Sequence, residues 1–231
     1  HLSLRRQRQM CIRDRPDFGY ITNFGKAHLE GFGGTEGVIK GKSELYQYLE
    51  QNEKTAFVNL DDPIQDEKTK NITRYTFSQK GNSNVVIQSV SANPMVKIGV
   101  ENITIQSHLI GIYNANNINA AISIGNYFNV PTEAIKTAIE NYIPSNNRSQ
   151  LIEKNGNHII LDAYNANPSS MTAALENFAQ LEDGSKIAIL GDMFELGTES
   201  LKEHQNIVSL VSHTPEIKTY FIGKGFLCVK N

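Results

Sequence analysis

The sequence has few cysteines and no long hydrophobic run. Its two cysteines, Cys11 and Cys228, lie near opposite ends, with no CxxC or Cys/His spacing. This argues against a disulfide framework or a zinc site and fits a reducing cytoplasm. No apolar run approaches the length of a membrane span, and the first residues lack the pattern of a signal peptide. The sequence therefore predicts a cytoplasmic protein that does not insert into a membrane.

An excess of charge of one sign is also lacking. The formal net charge is -2 at pH 7 and the pI is about 6.3, so no broad basic surface is predicted. Nucleic acid and anionic membranes are therefore not expected as partners, and any phosphate binding would need local donors. With 231 residues, the chain can bury a core in one large domain or two modest ones.

Arginine is scarce after the first 15 residues. Those 15 contain five arginines, whereas the remaining 216 contain only Arg74 and Arg148. The composition changes abruptly at Pro16. A basic arm that binds nucleic acid is one interpretation. A foreign leader from construction, assembly or a frame error is favoured, so residues 1–16 are not expected to belong to the fold.

The pattern of short elements predicts an α/β protein with two domains. A helical spacing of apolar residues covers 35–49, and short strands separated by Gly, Asn and Pro make residues 55–106 β-rich. Two helices follow, and then Pro144–Asn147, which is typical of a linker. We therefore predict a first domain over 17–145 and a second over 146–231.

The second domain is predicted to begin with a hairpin. Strands over 149–153 and 158–161 flank Asn155-Gly156, a strong hairpin signal. Helices and strands then alternate as far as the sequence runs, which predicts a parallel sheet. The sequence is expected to end before the last strands of such a sheet.

A polar loop follows the strand Ile159–Leu161. Asp162 is placed to accept ribose hydroxyls, while Tyr164, Asn165 and Asn167 suit a small polar substrate such as a peptide zwitterion. An ordinary Asn-rich turn is the alternative.

The next strand-end loop carries two carboxylates. Asp192 and Glu195 would reach the same cleft as Asp162 if the sheet is parallel, and could neutralise a substrate ammonium. His204, in the helix that follows, is expected on the helix surface.

Two residues before the predicted β-rich region are candidates for metal binding. His28 could be a metal ligand, a general base or a surface histidine. Lys42 is either a helix-surface cation or, after reaction with carbon dioxide, a carbamate whose oxygens could bind Mg²⁺ as a glutamate does.

Three further residues suit a nucleotide. Asn114 and Asn117 lie three apart at the start of a helix, so their amides share one face and could contact a purine edge. Helix capping explains one of them equally well. Arg148, at the predicted linker, could bind a phosphate or form a linker salt bridge.

Taken together, five ordered motifs resemble the Mur ligase superfamily. They are ITNFGKAHLEGFGGTEGVIKGKSELY, VNLDDP, GIYNANNINAA, LDAYNANPSSM and LGDMFELG. The last two resemble signatures of the branch that joins D-Ala-D-Ala to UDP-MurNAc-tripeptide in peptidoglycan precursor synthesis. The resemblance implies a central ATP-binding domain with a mixed sheet, a Rossmann-like C-terminal domain and a monomeric full-length enzyme.

The resemblance implies a role for each matching residue. ATP and Mg²⁺ are the expected cofactors. His28 and carbamylated Lys42 would hold the metal, Asn114 and Asn117 the adenine, Arg148 the phosphates and Asp162 the ribose. The D-Ala-D-Ala side would be formed by Tyr164, Asn165, Asn167, Asp192 and Glu195. Lys42, His28 and Arg148 are the expected catalytic residues.

The sequence departs from the family pattern at the phosphate-binding loop. GxxxxGK[ST] does not occur, and Gly41-Lys42-Ser43 lacks the required earlier glycine and lies in a predicted helix. We therefore expect a fragment, truncated at both ends, that has no ligase turnover alone. A folylpolyglutamate synthetase-like ligase and a non-catalytic nucleotide-binding module are the alternatives.

Overall fold

The computed structural model describes residues 15–145, 147–182 and 184–229. The expectation of a foreign leader concerns residues almost all of which lie outside this part. The chain forms two compact units, one running to Phe24 and over Ile39–Ile143, the other comprising Gly25–Val38 and the chain from Pro144. A segment early in the sequence thus belongs to the second unit, whereas the sequence predicted a single boundary after residue 145.

The elements are numbered along the chain. The strands are β1 (Phe18–Tyr20), β2 (Thr55–Asn59), β3 (Thr73–Ser78), β4 (Val85–Ala92), β5 (Met95–Val100), β6 (Ile103–Ile110), β7 (Gln150–Lys154), β8 (Asn157–Leu161), β9 (Lys186–Gly191) and β10 (Ile217–Ile222). The helices are α1 (Leu29–Phe32), α2 (Thr35–Gln51), α3 (Pro63–Lys68), α4 (Ala115–Tyr127), α5 (Thr132–Glu140), α6 (Pro168–Gln180), α7 (Ser200–Ser212) and α8 (Lys224–Leu227). None of these helices is long and apolar enough to cross a membrane.

The first unit contains a six-stranded mixed sheet in the order β1-β2-β3-β4-β5-β6. The first three strands are parallel, β3 and β4 share a short parallel pairing, and β4 to β6 are antiparallel. Strand β2 is buried almost throughout, as expected for a strand covered on both faces. The predicted β-rich region and mixed sheet are confirmed.

Local sequence signals fix the helices around this sheet. Asp62 caps α3 by accepting hydrogen bonds from the amides of Ile64 and Gln65, and Pro63 occupies the first turn. Helix α4 follows a 3₁₀ turn that begins after Gly111, whose φ of 86° suits glycine. Its buried apolar residues pack into the core cluster that includes Ile87 and Ile98.

The second unit contains two separate two-stranded sheets. Strands β7 and β8 form the predicted antiparallel hairpin, with Asn155 at φ 53° and Gly156 at φ 74°, both suited to a type I′ turn. Strands β9 and β10 pair in parallel across α7. The predicted parallel pairing is confirmed for β9 and β10, but within the described residues β8 does not pair with β9.

The core of the second unit includes residues from the early segment. Leu29 and Val38 are buried with Leu175, Ile207 and Phe226 in one cluster. Burial of an apolar side chain of this size contributes about 1.5–3 kcal/mol. The segment Gly25–Val38 is therefore a structural part of the second unit.

Candidate functional site

The loop after β8 brings three predicted site residues together. The main-chain oxygen of Asn147 accepts hydrogen bonds from the amides of Ala163 (2.8 Å) and Tyr164 (3.2 Å). One carboxylate oxygen of Asp162 accepts from the amide of Ser149 at 3.2 Å. The guanidinium carbon of Arg148 lies 3.9 Å from the centre of the Tyr164 ring. These contacts fasten the linker to the end of the hairpin and stack Arg148 on an aromatic face.

The same loop ends in the cap of α6. The side-chain oxygen of Asn167 accepts a hydrogen bond from the amide of Ser170 at 3.0 Å, within a capping box, and Pro168 starts the helix. The cap engages the side-chain oxygen of Asn167. The NH₂ group of Asn167 is therefore the part that could donate to a substrate. Asn165 and Tyr164 are exposed.

Asp192 follows β9, as predicted, but its carboxylate is engaged inside the unit. Its two oxygens accept hydrogen bonds from the amides of Gly225 (2.9 Å) and Phe226 (3.1 Å) in α8. Burial alone would raise the pKa of Asp192, but the hydrogen bonds from the amides of α8 outweigh it and lower the pKa. The structure therefore shows Asp192 as an anchor for α8.

His204 is buried, so the predicted surface position is wrong. Its side chain is 1% exposed. Nε2 accepts a hydrogen bond from the amide of Met193 at 3.1 Å, and Nδ1 lies 2.7 Å from the carbonyl oxygen of Ser200. A neutral ring with its proton on Nδ1 satisfies both contacts. The buried face of α7 includes Glu203, His204 and Ile207, a spacing that places His204 toward the core.

Glu195 and His28, which the sequence assigned to different roles, are paired. The Nδ1 atom of His28 forms a short contact with a carboxylate oxygen of Glu195. The main-chain oxygen of Glu195 also accepts a hydrogen bond from the amide of Glu30 at 3.0 Å. His28 has a φ of 57°, a left-handed conformation that is uncommon for a residue with a side chain. If Nδ1 carries the proton and donates it to Glu195, then Nε2 carries the ring lone pair that can bind a metal ion.

Lys42 lies within α2, and Gly41-Lys42-Ser43 is helical as predicted. Its ammonium donates a hydrogen bond to the main-chain oxygen of Asn23 at 2.8 Å. Burial lowers the pKa of Lys42 because it disfavours the charged form. At a given pH, more of this side chain is therefore a neutral amine than in a lysine with an unshifted pKa. The neutral amine is the form that reacts with carbon dioxide.

Asn114 and Asn117 lie at the start of α4 with their side chains in contact. Asn117 Nδ2 is 3.4 Å from Asn114 Oδ1, and Asn114 Nδ2 donates to the main-chain oxygen of Ile110 at 2.8 Å. The side chain of Asn114 makes no capping hydrogen bond to α4. Helix capping therefore does not explain this asparagine pair.

The described residues do not include a cluster of the usual metal-binding side chains. Among residues 15–145, 147–182 and 184–229, no group of three or more His, Cys, Asp or Glu side chains could hold a metal ion. Mg²⁺ prefers oxygen ligands in near-octahedral geometry, whereas His28 offers one nitrogen. A carbamate on Lys42 would add oxygens, but further ligands would still be needed.

Sequence reasoning missed a second group of polar contacts in the second unit. The ammonium of Lys26 lies 2.8 Å from Glu203, whose side chain is 6% exposed, and the amide of Lys26 donates to Ser169 Oγ at 2.9 Å. Burial alone would raise the pKa of Glu203, but hydrogen bonds from Lys26 and Asn206 outweigh it and lower the pKa. The buried spacing on α7 was the signal for Glu203, whereas no local pattern marks Lys26.

Two family models match the chain. The model for the Mur ligase middle domain matches residues 2–125, and the model for the Mur ligase, glutamate ligase domain matches residues 147–223. The first match alone covers more than half of the chain. The chain therefore belongs to the Mur ligase family.

Named relatives and solved structures agree with this. The UDP-N-acetylmuramoyl-tripeptide--D-alanyl-D-alanine ligase of Bacillus subtilis (strain 168) is 31% identical over 216 residues, covering 90% of this chain and 46% of the relative. A crystal structure of MurF from Acinetobacter baumannii superposes with a TM-score of 0.81 at 26% identity, covering 93% of this chain and 48% of that one. MurF ligase from Thermotoga maritima in complex with ADP also gives 0.81, at 21% identity, and supports the fold, covering 96% of this chain and 53% of that one. The chain spans about half the length of these relatives.

Proposed function

We propose that the chain is part of an ATP-dependent ligase that adds D-Ala-D-Ala to UDP-MurNAc-tripeptide in peptidoglycan precursor synthesis. The observation that carries the proposal is the group formed by Arg148, Asp162 and Tyr164. It joins a guanidinium, a carboxylate and an exposed aromatic ring at one end of the β7–β8 hairpin, and the first two would suit an anion and a hydroxyl. The names of the relatives support the substrate assignment.

The proposed reaction has two steps. The γ-phosphate of ATP moves to the tripeptide carboxylate and gives an acyl phosphate and ADP. The amine of D-Ala-D-Ala then attacks the acyl carbon, an amide forms and phosphate leaves. Preorganised cationic donors lower the cost of charge on the transferring phosphoryl group, and exclusion of water protects the acyl phosphate.

We assign the nucleotide contacts to four residues. Asn114 and Asn117 share a helix face and would bind the adenine edge. Arg148, whose guanidinium lies over the Tyr164 ring, would bind phosphate oxygens, because a guanidinium offers several N–H donors in a planar fork. Asp162 accepts one amide and has a second oxygen that would accept a ribose hydroxyl.

We assign the D-Ala-D-Ala side to the loops after β8 and β9. Tyr164 and Asn165 are exposed there, and the NH₂ group of Asn167 would donate to the dipeptide. Glu195, which is 56% exposed, suits the dipeptide ammonium better than Asp192, whose oxygens are engaged by α8. Asp192 would then act by holding this loop end.

We assign Mg²⁺ binding to two residues. Lys42 as a carbamate would supply oxygens, and His28 would supply Nε2 while Glu195 holds Nδ1, the usual arrangement of a metal-binding histidine. The ion would offset phosphate charge. The reaction is proposed to take place in the cytoplasm, in an enzyme that is monomeric in its full-length form.

The proposal is tested by a chimaera in which residues 17–229 replace the matching stretch of the Bacillus subtilis relative. With ATP, UDP-MurNAc-tripeptide and D-Ala-D-Ala, we expect ADP release and an amide product detected by mass spectrometry. With L-glutamate as the amine and a folate as the acid, we expect no product. The unmodified relative is the control.

Two outcomes would contradict the proposal. A folded chimaera that binds ATP but makes no dipeptide amide would argue for a nucleotide-binding module. Glutamate addition to the folate without dipeptide addition would argue for the folylpolyglutamate synthetase-like alternative.

A further inference from the structure

A buried carboxylate of the second unit holds the loop that carries His28. Glu203 lies on α7 with a side chain that is 6% exposed. One of its oxygens accepts from the Lys26 ammonium at 2.8 Å, and the other accepts from Asn206 Nδ2 at 3.2 Å. Lys26 lies two residues before His28, so this ion pair joins α7 to the His28 loop.

Two further polar contacts fix the same loop. The amide of Lys26 donates to Ser169 Oγ at 2.9 Å, in the first turn of α6. The amide of Glu30 donates to the main-chain oxygen of Glu195 at 3.0 Å. His28 lies between these two points in a left-handed conformation that its surroundings must maintain.

The contacts differ in how strongly they specify position. Leu29 is 3% exposed, and its burial attaches the loop, but hydrophobic attraction has no direction. A charge-assisted hydrogen bond to a buried carboxylate has a defined geometry. Removing Lys26 would also leave Glu203 as a buried, unpaired charge, which proteins strongly disfavour. The Lys26–Glu203 pair is therefore the contact best suited to set the loop conformation.

We propose that Lys26 and Glu203 are positioning residues that hold His28 against Glu195. The consequence for metal binding rests on the proposed function, because it requires His28 to act as a ligand. The positioning itself is a property of the second unit and can be measured without any ligand.

The test uses NMR on the 231-residue chain. The first readout is hydrogen exchange at the Glu30 amide, and the second is the Cε1–Hε1 resonance of the His28 ring at one fixed pH. Exchange at the Ile207 amide, inside α7, reports global opening of the unit. The variants are Lys26→Met, Glu203→Gln and the conservative Lys26→Arg. Lys54→Met, which removes a surface pair with Asp17 in the first unit, is the matched control.

In Lys26→Met and Glu203→Gln, we expect exchange at Glu30 to rise about tenfold and the His28 resonance to shift, with Ile207 unchanged. Lys26→Arg and Lys54→Met should behave as the wild type. Unchanged Glu30 exchange and His28 resonance in Lys26→Met would overturn the proposal. Equal acceleration at Glu30 and Ile207 would also overturn it, because the pair would then support only global stability. Neither result depends on whether the ligase reaction occurs.

Discussion

Replacing Gly223 with alanine is expected to lower the free energy of unfolding of the second unit by about 3–5 kcal/mol. Gly223 has a φ of 122° and a ψ of 172°, a conformation essentially restricted to glycine. A Cβ there would lie 2.2 Å from Asp192 Cγ. Asp192 cannot move without losing its hydrogen bonds to Gly225 and Phe226. Urea denaturation followed by far-UV circular dichroism measures the effect.

Gly191 provides a matched control one residue before Asp192. An added Cβ at Gly191 meets no atom within 4 Å, and its φ lies outside the left-handed range. We expect Gly191→Ala to change the free energy of unfolding by less than about 0.5 kcal/mol. Equal losses in the two variants would show that the Asp192 anchor is not the cause. An unchanged free energy of unfolding in Gly223→Ala would contradict the anchoring role of Asp192.

Replacing Lys42 with methionine is expected to lower ligase turnover of the chimaera by about 10²-fold or more. Methionine retains the approximate length of the side chain but cannot form a carbamate. The pKa of Lys42 is lowered by burial, so the neutral amine becomes more abundant as pH rises toward that pKa. Carbamate formation requires this neutral form, so its occupancy should increase with pH and fall in acid. Carbon-13 NMR with labelled bicarbonate detects the carbamate directly.

Two variants separate carbamate chemistry from charge. Lys42→Arg keeps the positive charge but cannot react with carbon dioxide, and we expect it to be as inactive as Lys42→Met. Lys40→Met removes an exposed lysine on the same helix and should retain wild-type turnover. An active Lys42→Arg, or a wild-type chain without a bicarbonate-derived signal, would contradict the carbamate assignment.

Local patterns predicted most of the elements. The Asn155-Gly156 turn predicted the hairpin because both residues adopt positive φ. The failures involve pairing over distance. A parallel sheet was expected for the second domain, but among the described residues β8 pairs with β7 and only β9 and β10 pair in parallel, because a strand's apolar pattern does not specify its neighbour.

The candidate site was predicted less completely for the same reason. The loop after β8 was found because its polar residues are consecutive in sequence. The contact between Lys26 and Glu203 joins residues 177 positions apart, and nothing near Lys26 marks it. His204 was misplaced because a histidine suits a helix surface and a core equally, and the contacts with Met193 and Ser200 that bury it exist only in the folded unit.

The most direct test of the proposed ligase function follows a labelled oxygen atom through the reaction. UDP-MurNAc-tripeptide labelled with ¹⁸O in the reacting carboxylate is supplied to the chimaera with ATP and D-Ala-D-Ala. An acyl phosphate requires one labelled oxygen to leave with phosphorus, so we predict inorganic phosphate that carries one ¹⁸O for each amide formed. Amide formation with unlabelled phosphate, or ATP cleavage without dependence on the dipeptide, would contradict the proposed ligase function.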